Sequence, residues 1–290
     1  MTPAPATAAR HPAAGHVDLH AHSTASDGTQ APAALVSRAR QAGLAAVAIT
    51  DHDTLAGAEE ALAEGARLGI DVVCGTELSA VEGDDELHLL ALHVHDVARL
   101  QGELETIRDM RVARAEEMVA KLGALGLQVS MEDVLKESAG GAVGRPHVAR
   151  AMIARGAVRD MREAFDRYIG GGRPAYVPKA QLPVAEAIRL AHESGAIAVA
   201  AHLGGDGTRE YVESLRRLGL DGLEVRHPGH SADDIARLGA LADHYGMVKS
   251  GGSDWHGANE GPRALGVMQV PRVWLDQQRE RAETIRRAGA

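Results

Sequence analysis

The sequence predicts an α/β protein whose strands form a closed or nearly closed barrel. Short apolar runs alternate with segments of helical periodicity, a pattern typical of a parallel sheet with helical crossovers. Seven such runs can be recognised along the 290 residues. Acidic residues or histidines follow several of them directly, and barrels of this kind carry their functional groups at the carboxyl ends of the strands.

Most of the predicted strands are short runs rich in Val, Ile, Leu or Ala, and the last is the mixed segment 247–251. The strands are expected at 17–20, 45–50, 70–75, 87–94, 197–201, 220–225 and 247–251. The helices between them are expected at 32–42, 54–68, 184–194 and 232–245. Glycines such as Gly69 and Gly195 follow the helical patterns directly, and glycine is the residue that most often ends a helix.

Residues 97–180, the helical insertion, interrupt this alternation between the fourth and fifth strands. Helices are expected there at 100–125, 131–138, 145–155 and 161–168. Because a parallel fourth strand would end at the functional rim, we expect the insertion to emerge there as a helical cap. An appendage remote from the site is the alternative. The predicted domains are a barrel over 15–96 and 181–275 and a cap over 97–180.

Composition narrows the function classes. Residues 1–14 are rich in Ala and Pro without the apolar core of a signal peptide, so they are predicted to be a disordered leader. No run approaches the roughly 20 apolar residues of a spanning helix. The net charge of −9 argues against nonspecific nucleic-acid or membrane binding. We therefore expect a cytoplasmic enzyme without DNA or membrane partners, in which Cys74 is a core residue.

The pair His20 and His22 is the first candidate for metal binding. Residues two apart on a strand point to the same face and lie roughly 6.5 Å apart, so both imidazoles can reach one ion. Taken alone, this pattern is as common among core or surface histidines as among ligands.

Similar residues after other predicted strands strengthen that interpretation. They are His52, Glu77, His202, Asp254 and His256. Imidazole nitrogen and carboxylate oxygen are the usual ligands of borderline divalent ions. The general polarity of loops explains one or two such positions but not a series of them. The series favours hydrolysis by metal-activated water, with Asp18 and Asp51 orienting neighbouring imidazoles.

Six motifs resemble the polymerase and histidinol phosphatase (PHP) family of metal-dependent phosphoesterases over residues 16–270. They are His20-Ala21-His22-Ser23, Ser26-Asp27-Gly28, Thr50-Asp51-His52-Asp53, Gly75-Thr76-Glu77, the pair His88 and His202, and Ser253-Asp254-Trp255-His256. The resemblance implies a distorted seven-stranded TIM-like barrel. It also implies two or three divalent ions, manganese being expected and iron or zinc being the alternatives.

The same resemblance distributes nine ligands over three ions. The first ion takes His20, His22, Glu77 and Asp254. The second takes His88 and His202, with Glu77 as a bridge, and the third takes Asp27, His52 and His256. In this family proline often follows the fifth-strand histidine, whereas Leu203 follows it here. His88 is preferred to His93 because His-Leu-Leu-x-Leu resembles a subfamily pattern, although His88 lies early in its strand.

Substrate contacts are also implied by the resemblance. Segments at 144–149 and 176–179 resemble those of the PHP subfamily that removes the 3′-phosphate of nucleoside 3′,5′-bisphosphates. On that basis Arg145, His147 and Lys179 bind phosphate, as a guanidinium fork and a helix start can. Solvated surface residues are the alternative. His227 is expected to touch the phosphate or protonate the leaving oxygen, or to be a structural histidine. Ser23 is expected to donate to a phosphate oxygen or to cap a loop.

The expected reaction is phosphomonoester hydrolysis, with Asp254, His227 and Arg145 as catalytic residues. Adenosine 3′,5′-bisphosphate giving AMP is the favoured substrate, and trimming of short RNA from its 5′ end is a related activity. The alternatives are another small phosphomonoester such as histidinol phosphate, hydrolysis of a carbon–nitrogen bond by an amidohydrolase, and a noncatalytic module like the PHP domain of a polymerase.

Overall fold

A computed structural model of the protein describes residues 15–83, 85–138, 143–178 and 182–289. The predicted leader at 1–14 lies outside these residues. Within the described residues, eight strands form one sheet: β1 (His16–Asp18), β2 (Ala46–Ile49), β3 (Asp71–Glu82), β4 (Asp85–Leu92), β5 (Ile197–Ala200), β6 (Gly222–Arg226), β7 (Val248–Gly251) and β8 (Val270–Pro271). Their hydrogen-bonded order is β7-β6-β5-β4-β3-β2-β1-β8.

In the described part of the chain, ten α-helices surround or extend from the sheet. They are α1 (Pro32–Gln41), α2 (Ala58–Leu68), α3 (Val97–Ala124), α4 (Met131–Ser138), α5 (Arg145–Ala154), α6 (Met161–Ala164), α7 (Val184–Glu193), α8 (Arg209–Arg217), α9 (Ala232–Tyr245) and α10 (Arg272–Gly289). A π-helical turn (Phe165–Ile169) continues α6, and a 3-10 turn (Gly204–Asp206) precedes α8. Gly69 ends α2 at φ +67°, as its sequence position predicts.

The segment that follows β1 is hydrogen-bonded to the end of β7 and to the segment after β7, which nearly closes the barrel. The backbone N–H of Leu19 donates to Gly251 O at 3.0 Å, and that of His22 donates to Trp255 O at 2.8 Å. The predicted α/β barrel is therefore confirmed. The predicted count of seven strands is corrected to eight, because the two-residue strand β8 pairs antiparallel with β1.

The prediction of an all-parallel sheet is wrong at β4, which runs antiparallel to both β3 and β5. Strand β3 does not end at Gly75 but continues to Glu82, where it turns into β4 as a hairpin. We call the end of the barrel where the parallel strands finish the carboxyl rim, and the other end the amino rim. Because β4 is reversed, its first residues lie toward the carboxyl rim and its last toward the amino rim.

The reversal of β4 also changes how the helical insertion leaves the barrel. The backbone N–H groups of His95 and Asp96 donate to Ser194 O, next to the start of β5, so α3 begins at the amino rim. With 28 residues, it is about 42 Å long and returns to the carboxyl rim along the barrel. The expectation that the insertion emerges from the functional rim is therefore wrong.

The two halves of α3 belong to different hydrophobic clusters. Leu100 and Leu104 pack into the barrel core. Met118 and Leu122 pack with α4, α5 and the π-helical turn in a separate cluster. The helices within the insertion agree with those expected there from the sequence. The domain boundaries and the role of the insertion as a cap stay predictions.

The barrel interior is filled mainly by Ala, Val and Leu, as the scarcity of aromatic residues requires. Cys74 is buried among them, and burial raises the pKa of its thiol to about 11, so it is not a reactive thiolate. No helix in the described part of the chain has the length and apolar character needed to cross a membrane.

Gly252 allows β7 and β1 to approach closely. A Cβ atom added there would lie 2.4 Å from His20 N and 2.8 Å from an oxygen of Asp18. We expect Gly252→Ala to lower the free energy of unfolding by about 1–3 kcal/mol through overpacking, measured by chemical denaturation. Gly102→Ala, where no described atom outside the local helix backbone lies within 4 Å of the added carbon, should instead raise it by about 0.5–1 kcal/mol because alanine favours the helix. Equal effects would contradict this account of closure.

Candidate metal centre

All nine predicted ligands lie together at the carboxyl rim. They come from the segments after β1, β2, β5 and β7 and from within β3 and β4. The reversed β4 brings His88 to this rim although it stands early in its strand. His93 lies at the opposite end of β4, where its Nε2 is 3.3 Å from Gln278 Oε1 and burial lowers its pKa to about 4. The geometry therefore favours His88 over His93 as a candidate ligand.

The first group consists of His20, His22, Glu77 and Asp254. Its facing atoms are two Nε2 nitrogens, Glu77 Oε2 and Asp254 Oδ1, and five of their six mutual distances lie between 3.1 and 3.6 Å. Ligands placed about 2.0–2.2 Å from a common tetrahedral ion are about 3.3–3.6 Å apart. The arrangement thus has the size and shape of a tetrahedral ligand set, and its donors suit a borderline divalent ion.

Glu77 connects this group to a second one. Its Oε1 lies 2.8 Å from His88 Nδ1 and 3.0 Å from His202 Nε2. Its other oxygen faces the first group and also lies 3.4 Å from His52 Nδ1. Because the two oxygens of one buried carboxylate face different groups, Glu77 is placed to bridge two ions.

A third group surrounds Asp27. Its Oδ1 lies 3.2 Å from His256 Nε2 and 3.7 Å from His22 Nδ1, while its Oδ2 lies 3.9 Å from His52 Nε2. The Nδ1 atoms of His22 and His52 are buried and have no hydrogen-bond partner among the residues that the structure describes. A buried polar atom without a partner is unfavourable, and coordination to a metal ion removes that cost. The described residues therefore fit more than one ion.

The buried carboxylates require positive charge beside them. Burial disfavours the ionised form of Glu77, but His20 and the other imidazoles hold the pKa of its carboxyl well below its usual range. Burial likewise disfavours the imidazolium of His20, yet Glu77 and Glu224 raise its pKa well above the usual value. Asp254 also has a lowered pKa, because contacts with His22 and His227 outweigh its burial. Such a site binds a cation readily.

Three of the five non-glycine residues that have a positive φ in the described part of the chain lie at the carboxyl rim. Asp53, His202 and Asp254 have φ values of +49°, +34° and +50°, which non-glycine residues rarely adopt. Strained residues of this kind persist where surrounding contacts hold them, and they concentrate at functional sites. All three stand at or next to candidate ligands.

Glu224 orients the imidazole of His20, a role that the sequence analysis did not foresee. Its Oε1 lies 3.0 Å from His20 Nδ1, and its Oε2 accepts from the backbone N–H of His202 at 2.8 Å. The signal was an acid between the apolar residues Leu223 and Val225 in the middle of β6. A second missed residue, Arg263, contacts the carboxylate of Asp254 from an irregular loop that carries no recognisable pattern.

The two acids expected to orient imidazoles have other partners. Asp18 accepts from the backbone N–H groups of Ser253 at 2.9 Å and Gly266 at 2.8 Å. Asp51 accepts from the N–H and hydroxyl of Ser23, each at 2.7 Å, and from the hydroxyl of Ser26. These expectations are corrected: both acids fix loops of the rim. The hydroxyl of Ser23 is fully buried on Asp51, so it does not face a substrate.

A cavity of about 600 Å³ opens between the rim and the helical insertion. Asp27, His52 and His88 line one side, and His147 and Arg150 line the other. Its volume is typical of a small-molecule site.

The remaining predicted substrate residues are placed as follows. Arg145 lies with its guanidinium 5.6 Å from the centre of the Phe165 ring and 5.7 Å from that of Tyr176, and it does not line the cavity. His227 is buried, with its Nε2 3.4 Å from Asp254 Oδ2. Lys179 lies outside the described residues.

Comparison with known proteins identifies the family. The family model described as the PHP domain matches residues 18–169, which are more than half of the chain. The chain belongs to the PHP family. The PHP match includes six of the nine candidate ligands, from His20 to His88, and the remaining three follow it in the chain.

Relatives within the PHP family have named activities. The 3′,5′-nucleoside bisphosphate phosphatase of Chromobacterium violaceum is 35% identical over 258 residues, covering 87% of this chain and 90% of that protein. The 5′-3′ exoribonuclease of Haemophilus influenzae is 34% identical over 245 residues, covering 82% and 89%. A structure described as a metal-dependent phosphoesterase from Bifidobacterium adolescentis is 33% identical with a TM-score of 0.72, covering 93% and 98%. This PHP protein is a metal-dependent phosphoesterase.

We expect Glu224→Gln to lower metal affinity about 10–100-fold, because an amide is a weaker acceptor for the imidazole N–H that orients a ligand. The affinity can be measured by competition with a chelating dye, and circular dichroism should show an unchanged fold. Glu210→Gln, the same change at an exposed position of α8, is the control. Metal binding by Glu224→Gln at wild-type strength would show that Glu224 has no part in orienting His20.

Proposed function

We propose that the protein removes the 3′-phosphate of nucleoside 3′,5′-bisphosphates, giving AMP from adenosine 3′,5′-bisphosphate, and that short RNA is a related substrate. The observation that carries this proposal is the bridging carboxylate of Glu77 between two ligand groups, beside a cavity that Arg111 and Arg150 also line. Two relatives with these named activities support the choice of substrate class.

The nine candidate ligands would hold two or three divalent ions, with manganese expected. When bound, such ions neutralise phosphoryl oxygens and make water a nucleophile near neutral pH. His20, His22, Glu77 and Asp254 would hold the first ion. His88 and His202 would share Glu77 with the second, and Asp27, His52 and His256 would hold the third.

Two histidines have a proton available at a defined atom. His227 Nδ1 accepts from the backbone N–H of Gly229 at 3.0 Å, so the neutral ring carries its proton on Nε2. That atom lies on the side of Asp254, where it can protonate a leaving oxygen. His147 Nδ1 likewise accepts from Gly144 N–H at 2.9 Å, which leaves Nε2–H as a donor for a substrate in the cavity.

The cavity offers hydrogen-bond donors to a phosphorylated substrate. Arg111 and Arg150 line it together with the neutral imidazole of His147. The acids Asp27, Asp53 and Glu137 line it as well, so a bound anion would depend on these directed donors and on metal ions rather than on the net charge of the cavity. Arg145 and Lys179 are proposed as further phosphate contacts on the strength of the motifs that carry them.

Manganese-loaded protein should release phosphate from adenosine 3′,5′-bisphosphate and yield AMP, measured by phosphate assay and chromatography. Histidinol phosphate and an amide substrate serve as comparison compounds. Asp254→Asn should reduce turnover by at least about 10²–10³-fold and lower metal content. It should remain folded, because Glu77 and Glu224 still neutralise His20. The proposal fails if wild-type protein neither releases phosphate from nucleotides bearing 3′-phosphates nor shortens RNA oligomers.

A further inference from the structure

Arg111 on α3 is a buried cation that faces the substrate cavity. It is only 8% exposed, although arginine rarely becomes buried without a strong reason. It lines the same cavity as His52 and His88, which stand in the candidate metal centre. No motif of the sequence analysis includes it, since it lies within the long helix that links the two rims.

A single carboxylate holds the guanidinium. Arg111 Nη1 donates to Asp53 Oδ2 at 2.6 Å. Asp53 is itself fixed, because its two oxygens accept from the N–H and the hydroxyl of Ser79, both at 2.9 Å. Asp53 directly follows His52 and has a strained φ of +49°. The pair therefore sets the position of Arg111 relative to the metal centre.

The ion pair leaves most donors of Arg111 unused. A guanidinium has five N–H donors. Within the described residues Arg111 makes one hydrogen bond, which is the bond to Asp53. Its Nε is buried and has no partner in the described ranges of the chain. The acid across the cavity, Glu137, is engaged with Arg150 at 3.6 Å. Unpaired donors on a buried charge are costly, and a bound anion with several acceptor oxygens would satisfy them.

We propose that Arg111 is a catalytic residue that binds the phosphoryl oxygens of the substrate, with Asp53 as its positioning residue. This inference rests on the proposed function and deepens it. Stabilising charge on the phosphoryl oxygens is the main requirement of phosphoryl transfer. Arg111 would stabilise this charge from the side of the helical insertion, and metal ions held by the candidate ligands would stabilise it from the side of the barrel.

Arg111→Met and Arg111→Lys test the proposal together. Both should keep wild-type metal content. Arg111→Met should lower kcat for adenosine 3′,5′-bisphosphate about 10²–10³-fold, the usual effect of losing one preorganised donor. Arg111→Lys can still pair with Asp53, so it should recover the thermal stability. Its kcat should stay at least about 10-fold low, because an ammonium cannot bind Asp53 and phosphate bidentately at once.

Calorimetric titration of the metal-loaded proteins with inorganic phosphate gives a readout independent of turnover. We expect the dissociation constant to rise about 10-fold or more in both variants. Arg108→Met, the same change one helical turn earlier and outside the cavity lining, should bind phosphate as wild type does.

Two outcomes would overturn the role of Arg111. One is wild-type phosphate binding by Arg111→Met, and the other is full recovery of kcat and phosphate binding by Arg111→Lys, which would mark a purely structural ion pair. If instead wild-type protein binds phosphate through Arg111 but hydrolyses none of the nucleotides, the proposed function fails and the anion site stands.

Discussion

The carboxylate of Glu77 is the interaction on which the site depends. It is 1% exposed and lies within 3.4 Å of imidazole nitrogens from five histidines: His20, His22, His52, His88 and His202. Such a charge is tolerated in a barrel only when cations or hydrogen-bond donors surround it. The strand ends that carry these histidines, including the first residues of the reversed β4, must therefore lie at one level, which couples the register of the sheet to the chemistry of the rim.

Much of this arrangement could be predicted from the sequence. The spacing of His20 and His22 and the acids and histidines after apolar runs indicate a multinuclear metal site from the sequence alone. These signals succeed because strand geometry is regular and because polar side chains at strand ends have few structural explanations. The α/β class and most helices were equally accessible, since their periodicity and their terminal glycines are local properties.

The direction of β4 could not be read in the same way. Apolar periodicity is identical for a strand and its reverse, so the sequence left His88 and His93 to be distinguished by motif alone. The partners of buried acids are also nonlocal: Asp18 stands beside the histidines in sequence but binds backbone, whereas Glu224, some 200 residues away, reaches His20. Long-range pairing of this kind follows from the closure of the barrel.

The reversed strand has a functional consequence through α3. Because β4 delivers the chain to the amino rim, the return to the site requires a long helix, and that helix packs on the barrel before it joins the other helices of the insertion. The ion pair between Asp53 and Arg111 holds the middle of α3 at the carboxyl rim. The barrel thus contributes acids and imidazoles, while the insertion contributes Arg111, His147 and Arg150. A phosphate ester needs both, since its oxygens must meet cations on every side that the attacking water leaves open.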